Sequence, residues 1–276
     1  MKLLPGQFYG QTLAAREIAG FKLMESVYHP GTKLPKHSHT HGCFSVMFEG
    51  ALTENYGKRN LEWTPLCVGF NPPDEEHSNV IHNTGARFFI VEISPKWLER
   101  AREVSAKLND SVVFRGGLLA YLGLQLYHEA QRCDEISPLA VEGLVLNMLA
   151  ESARYCANMP DGAPPRWLEQ ARELIRARFA ESLAVNTIAQ DVGVHPVHLS
   201  CMFRKYYNCT VGEYVRQLRV AYACREVSQT EIPLAQIASA VGFYDQSHFT
   251  RVFKRRMGMT PAHYRINSRS LKPIQK

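Results

Sequence analysis

Residues 237–265 read IASAVGFYDQSHFTRVFKRRMGMTPAHYR, and their opening is a second copy of a pattern met earlier in the chain. Ile237-Ala238-Ser239-Ala240-Val241-Gly242-Phe243 echoes Ile188-Ala189-Gln190-Asp191-Val192-Gly193-Val194 at a spacing of 49 residues. Val252-Phe253-Lys254-Arg255 echoes Met202-Phe203-Arg204-Lys205 at a spacing of 50, and Thr260 and Tyr264 echo Thr210 and Tyr214. One supersecondary unit therefore occurs twice, the second copy carrying one extra residue after its glycine.

Each copy reads as helix, tight turn, helix. In the first, Ile188, Ala189 and Val192 form the apolar stripe of a short helix. Gly193 ends it, because glycine enters the left-handed region without a Cβ clash. Pro196 suits the first turn of the next helix, where a missing N–H costs no hydrogen bond. Leu199, Met202 and Phe203 then supply the i, i+3, i+4 stripe that packs back on the first helix. In the second copy Asp245 is the N-cap, and Phe249, Val252 and Phe253 are the stripe. A helix-turn-helix of this kind lays its second helix in the DNA major groove. A plain helical hairpin would account for one copy. Two copies, each with cations directly after the phenylalanine of the second helix (Arg204-Lys205 and Lys254-Arg255-Arg256), place charge where phosphates flank an inserted helix.

Taken whole, residues 237–265 closely resemble the signature of AraC/XylS-type transcription regulators, with Gly-Phe, Ser-x-Phe, Phe-Lys and Gly-x-Thr-Pro at fixed offsets. The resemblance covers about residues 166–276, including a long helix near residues 211–228 that joins the copies. It implies an all-α domain whose two recognition helices enter successive major grooves on one face of a duplex. It places base-facing positions at Val197, Ser200 and Cys201 in the first recognition helix, and at Gln246, Ser247 and Arg251 in the second. Arg251 and Gln246 suit bidentate reading of guanine and adenine edges, whereas the small side chains of the first helix suit apolar or single hydrogen-bond contacts. The first unit is thus expected to position and the second to discriminate. His198 and His248 are expected to pack or to lie near phosphate.

Outward from this half, the chain changes character. Asn158-Met159-Pro160-Asp161-Gly162-Ala163-Pro164-Pro165 cannot continue a helix and reads as a linker, dividing a domain over 1–157 from one over 166–276. Residues 1–165 hold 15 Lys+Arg against 18 Asp+Glu, a net of −3, whereas 166–276 hold 17 against 8, a net of +9. Only the back half should meet a polyanion; charge alone leaves nucleic acid and an anionic membrane surface both open. At 45% hydrophobic and 21% charged residues the composition is globular, and no run reaches the roughly 18 apolar residues of a membrane span. The first residues lack the apolar core of a signal peptide, and seven cysteines without a CxxC pair suggest neither a disulfide framework nor a zinc ribbon, so a reducing cytoplasm is expected.

The front half shows β texture at Cys43-Phe44-Ser45-Val46-Met47-Phe48, at Leu66-Cys67-Val68-Gly69-Phe70 and at Arg87-Phe88-Phe89-Ile90-Val91-Glu92-Ile93, spaced as in an antiparallel barrel or sandwich. From Pro95 helical periods take over. Leu118, Leu119, Leu122, Leu126 and Ala130 mark one helix, and Val141, Leu144, Val145, Met148, Leu149 and Ser152 another. These helices either cover the barrel or form a subunit interface. Residues 31–39, GTKLPKHSH, with a closing Gly50, resemble the first cupin motif, and Pro72-Pro73-Asp74-Glu75-Glu76-His77 resembles the second. Asp74 replaces the second motif's glycine, and Cys43 occupies the slot of the first motif's glutamate. Strand alternation puts His37, His39 and His41 on one face. With His77 and a Cys43 thiolate they would suit a divalent transition metal, or else line an effector pocket without one. His82, beside Asn83, reads as part of a turn.

The expectation is therefore an α+β protein: a cupin-like β-barrel with flanking helices, then two helix-turn-helix units joined by a long helix. Its expected function is sequence-specific regulation of transcription with double-stranded DNA as partner, without enzymatic activity. A small-molecule effector is sensed in the barrel, no cofactor is required, the partners include a second copy of the chain in a homodimer, and RNA polymerase is one too if the protein activates. The competing reading is a metal-dependent cupin enzyme or metal sensor carrying a DNA-binding tail.

Overall fold

The computed structural model describes residues 1–57, 59–104, 108–160 and 162–270, in two compact units, Met1–Ala157 and Asn158–Lys276. Asp161 of the linker segment and residues 271–276 lie outside the described residues.

The first unit runs β1 (Lys2–Leu3), β2 (Gln11–Ile18), β3 (Phe21–Tyr28), β4 (Lys33–His39), β5 (Gly42–Tyr56), β6 (Arg59–Trp63), β7 (Cys67–Asn71) and β8 (His77–Ile93). After these come α1 (Pro95–Val104), β9 (Val112–Arg115), α2 (Gly117–Arg132) and α3 (Ser137–Asn158). The long strands β5 and β8 pair antiparallel from Gly42↔Ile93 to Asn55↔Ser78, with a register shift between Gly50 and Leu52. There both strands turn a corner. Gly50 has φ +88° and Gly85 φ +67°, and a Cβ on Gly50 would stand 1.8 Å from the Gly85 carbonyl oxygen, so only glycine permits the approach.

On one side of the corner β8 is flanked by β4, with β1 running parallel beyond it, while β5 is flanked by β6. On the other side β8 pairs with β3 and then β2, and β5 pairs with β7 and then β9. The two arms close on one interior, where Met24, Cys43 and Met47 of one pack with Leu52, Trp63 and Ile81 of the other. The expected barrel is thus built from a folded mixed sheet. Helix α2 buries Leu119, Leu122, Leu126 and Ala130, but Leu118 is half-exposed and does not belong to its inner stripe. Tyr127 of α2 packs on Phe48 and Phe89 of the sheet.

Two expectations for this half are corrected. His82 lies inside β8, its Nε2 2.9 Å from Thr53 Oγ1, because the strand starts ten residues before the texture read from sequence. His41 sits in the bend between β4 and β5, off the face shared by His37 and His39, because alternation ends with the strand.

The second unit is helical: α4 (Arg166–Arg178), α5 (Val185–Asp191), α6 (Pro196–Tyr207), α7 (Val211–Gln229), α8 (Leu234–Ala240), α9 (Gln246–Met257) and α10 (Pro261–Ser270). Leu168, Ile175, Ile188, Leu199, Phe203 and Tyr214 close one core around the first helix-turn-helix. Ile237, Phe249, Phe253, Met257 and Tyr264 are the matching buried positions of the second. Helix α7 starts on a complete capping box, Thr210 with Glu213, which satisfies two otherwise orphaned groups reciprocally. Among the described residues no helix is long and apolar enough to cross a membrane.

Candidate functional site

The two helix-turn-helix units place the predicted reading residues on exposed faces. Gly193 and Gly242 turn the chain with φ +70° and +85°. Pro196 then opens α6 behind an N-cap His195 whose Nδ1 accepts from Val197 N, and Asp245 caps α9 by accepting from His248 N at 2.6 Å. These caps fix where each helix starts, hence which side chains face outward. Val197 is 63% exposed although it is apolar, while Leu199 and Phe203 on the opposite side are fully buried. Ser200, Cys201, Arg204 and Lys205 share the exposed side of α6, and Gln246, Ser247, Arg251, Lys254 and Arg255 that of α9. Ser200 donates its hydroxyl to Pro196 O, so its oxygen lone pairs are what it offers outward.

Neighbouring groups fall into supporting roles. His198 stacks on Trp167 with ring centroids 5.2 Å apart, and His248 packs edge-on against Phe243 at 5.4 Å. Arg256 is half-buried near Arg216 and Glu213, so the outward cations after Phe253 are Lys254 and Arg255. Tyr244, the residue by which the second turn exceeds the first, is 94% exposed.

The barrel interior holds a cavity of about 50 Å3 that His37, His39, Cys43 and His77 all line. At about 10–15 Å3 per water this is room for a few waters or a single ion, not for a drug-sized ligand. The N-terminal segment closes it. Phe8 stacks on His39 at 4.8 Å and Tyr9 meets His37 edge-on at 4.9 Å. Both oxygens of the buried Glu92 accept from Gly6 N, and β1 pairs with β4, holding that segment down.

His37, His39 and His77 offer one ligand atom each, all within 4.8 Å of one another, and all three side chains are buried. His37 Nδ1 lies 2.8 Å from Pro35 O and His77 Nδ1 3.1 Å from Glu75 O. A carbonyl oxygen only accepts, so each Nδ1 carries the proton and each Nε2 is left as a lone-pair donor, the tautomer a metal ligand needs. His39 Nδ1 is buried with no hydrogen-bond partner among the described residues. Burial, reinforced by His77, lowers the His37 pKa to about 4, and burial with His77 and His37 lowers that of His39 to about 3. Both are neutral at pH 7. The donor set therefore fits a divalent metal.

Cys43 lines the same cavity but is not among the ligand atoms that cluster. Burial, with Glu92 and Glu54 adding repulsion, pushes its thiol up to about 12, so it is a small apolar wall of the cavity. The carboxylate that the sequence motif lacks arrives instead as Glu54, its Oε1 3.7 Å from His77 Nε2. Glu54 is 4% exposed and accepts from Trp63 Nε1, Asn71 Nδ2 and Asn79 Nδ2. Asp74 stands at φ +67°, the left-handed position where the motif's glycine would sit.

Comparison with known proteins agrees with both halves. The helix-turn-helix domain family matches residues 166–267, and the AraC-like ligand binding domain family matches residues 24–146. Among curated relatives, the probable transcription factor PqrA of Proteus vulgaris is 34% identical over 102 residues, which are 37% of this chain and 80% of PqrA. The regulatory protein SoxS of Salmonella typhimurium is 37% identical over 93 residues, 34% of this chain and 87% of SoxS. AdaA of Bacillus subtilis, a bifunctional transcriptional activator and DNA repair enzyme, is 32% identical over 111 residues, 40% of this chain and 51% of AdaA.

Proposed function

Because this chain belongs to the AraC family of transcriptional regulators, with a helix-turn-helix DNA-binding domain and an N-terminal ligand-binding domain, we propose that it sets α6 and α9 together into neighbouring major grooves and gates transcription by what its barrel holds. The observation that carries this reading is the pair of capped helices with matched exposed faces, each ending in two outward cations. In this reading Arg251 and Gln246 read base edges, and Ser247 adds a single hydrogen bond. Val197, Ser200 and Cys201 form a small surface suited to a thymine methyl, and Arg204, Lys205, Lys254 and Arg255 hold phosphates.

In this reading the protein acts as a regulator rather than an enzyme, in the cytoplasm, pairs with a second copy of itself, and contacts RNA polymerase if it activates. Hydroxyl-radical footprinting on a duplex selected from a random pool tests the reading. Two protected patches about 10–10.5 bp apart on one face are expected. A single short patch would overturn it.

The histidine cluster favours a second reading of the effector site, in which His37, His39 and His77 hold a divalent cation, the Glu75 carbonyl orients His77 through Nδ1, and Glu54 adds a negative charge beside the Nε2 side of that ring. Such an ion would supply a fixed positive charge under the N-terminal segment; the residues themselves bind and orient it. Stoichiometric metal in purified protein, lost in His77→Ala, is the expected result. Metal-free protein that still responds to a small organic effector would reject it.

A further inference from the structure

Two recognition helices read one duplex together only if their separation and angular phase are held, and one residue outside both units touches the parts that set them. Arg219 lies near the middle of α7, the helix that joins the two units. Its Nε donates to Phe179 O at 2.8 Å and its Nη2 to Glu181 O at 2.8 Å, both at the end of α4 where the chain leads into the first helix-turn-helix. Its Nη1 donates to Gly242 O, the glycine turn of the second helix-turn-helix, and its guanidinium lies over the Phe243 ring at 5.9 Å. The partners are all carbonyl oxygens of backbone, each met by a different nitrogen of the planar fork, whereas the donors of an ammonium all leave from one nitrogen.

The same junction is tight for a second reason. A Cβ on Gly242 would stand 2.2 Å from the Ala180 oxygen, whereas one on Gly193, at the equivalent turn of the first unit, would meet nothing within 4 Å. Both glycines adopt positive φ, so the left-handed turn accounts for both; close approach accounts for Gly242 alone. The second reading head is thus locked against the segment that introduces the first.

We infer that Arg219 is a positioning residue that fixes the spacing of α6 and α9, and so sets which distance between two half-elements of DNA the protein accepts. The inference rests on the reading that both helices engage one duplex. Linking two reading heads at a matched span strengthens binding by about 10²–10⁴ without new contacts, and mispositioning forfeits part of that gain.

The test uses the full chain and a duplex selected by the wild-type protein, with one or two base pairs inserted between its half-elements and with one half-element scrambled. Each inserted pair rotates the second element by about 34–36°. Arg219→Gln, confirmed folded by circular dichroism, should lose about tenfold or more on the native spacing, keep wild-type affinity for the single half-element, and discriminate less among spacings. Gly242→Ala, which wedges the same junction by a different route, should reproduce this pattern, so the test stands if Arg219→Gln does not fold. Equal proportional loss on single and double elements, or wild-type spacing preference in both variants, would overturn the inference. A wild-type protein indifferent to spacing would instead overturn the two-helix reading beneath it.

Discussion

At the scale of single residues, the proposed reading gives the outward side of α9 both recognition and attraction. Arg251 precedes the cation pair by a helical turn, where a guanidinium can meet two acceptors of guanine at once. Arg251→Ala is expected to weaken the cognate site by about 1–3 kcal/mol and to flatten preference at one base position, as read by selection from a randomised duplex. Lys254→Ala should weaken every sequence alike. Their place on the second recognition helix was legible from the resemblance to the AraC/XylS signature. Glu54 was not. It lies eleven residues beyond Cys43 on the same strand, and the pairing of Glu54 with Asn79 at the start of β8 brings it beside His77. Glu54→Ala strips the acceptor from Trp63 and Asn79, at about 1–3 kcal/mol for each buried group left unpaired, while Asn71 keeps its bond to Tyr56 Oη. Chemical denaturation should show that loss in the barrel unit.

At the scale of elements, legibility followed burial. Helices α6 and α9 bury one stripe each, so a 3.6-residue period marked them, whereas α7 came from the resemblance and α4 and α10 were not read. Strand β2 buries only its last residue and β9 only one of four, so neither carries the apolar alternation by which a strand is read. Both are found by pairing, β2 on β3 and β9 on β7, which sequence order does not reveal. Helix α7 is the element whose continuity matters most. Its 19 residues span about 29 Å at ~1.5 Å each, short of one DNA turn of ~34–36 Å by less than the width of a helix. Val220 is fully buried at its centre, next to Arg219. Val220→Pro removes a backbone donor and costs the helix about 3 kcal/mol or more. Footprints of this variant should shrink to one patch even at protein concentrations that saturate the wild type.

At the scale of the whole molecule, the two units answer to different perturbations. Acid acts on the barrel. His37 and His39 titrate near 6.5 when unfolded and near about 4 and about 3 when folded, so metal-free protein takes up protons on unfolding in that window. The stability due to their neutral forms is complete above about pH 6.5 and is lost as pH falls through the folded values, so the barrel should unfold on acidification before the helical unit, as read by tryptophan fluorescence against far-ultraviolet dichroism. Salt acts on the other half. The net of +9 over residues 166–276 sits beside −3 over 1–165, so attraction to DNA comes from one unit and the other opposes it weakly. Arg204, Lys205, Lys254 and Arg255 point outward from the two recognition helices. If each neutralises one phosphate, the logarithm of the binding constant should fall against the logarithm of salt with a slope of about −3.6 or steeper, at about 0.9 counterions per contact. Replacing Lys205 and Lys254 together by alanine should reduce that slope by about 1.8 while leaving base preference intact. A slope unchanged by the double replacement would mean that phosphates are held elsewhere, and that these cations do not flank the grooves.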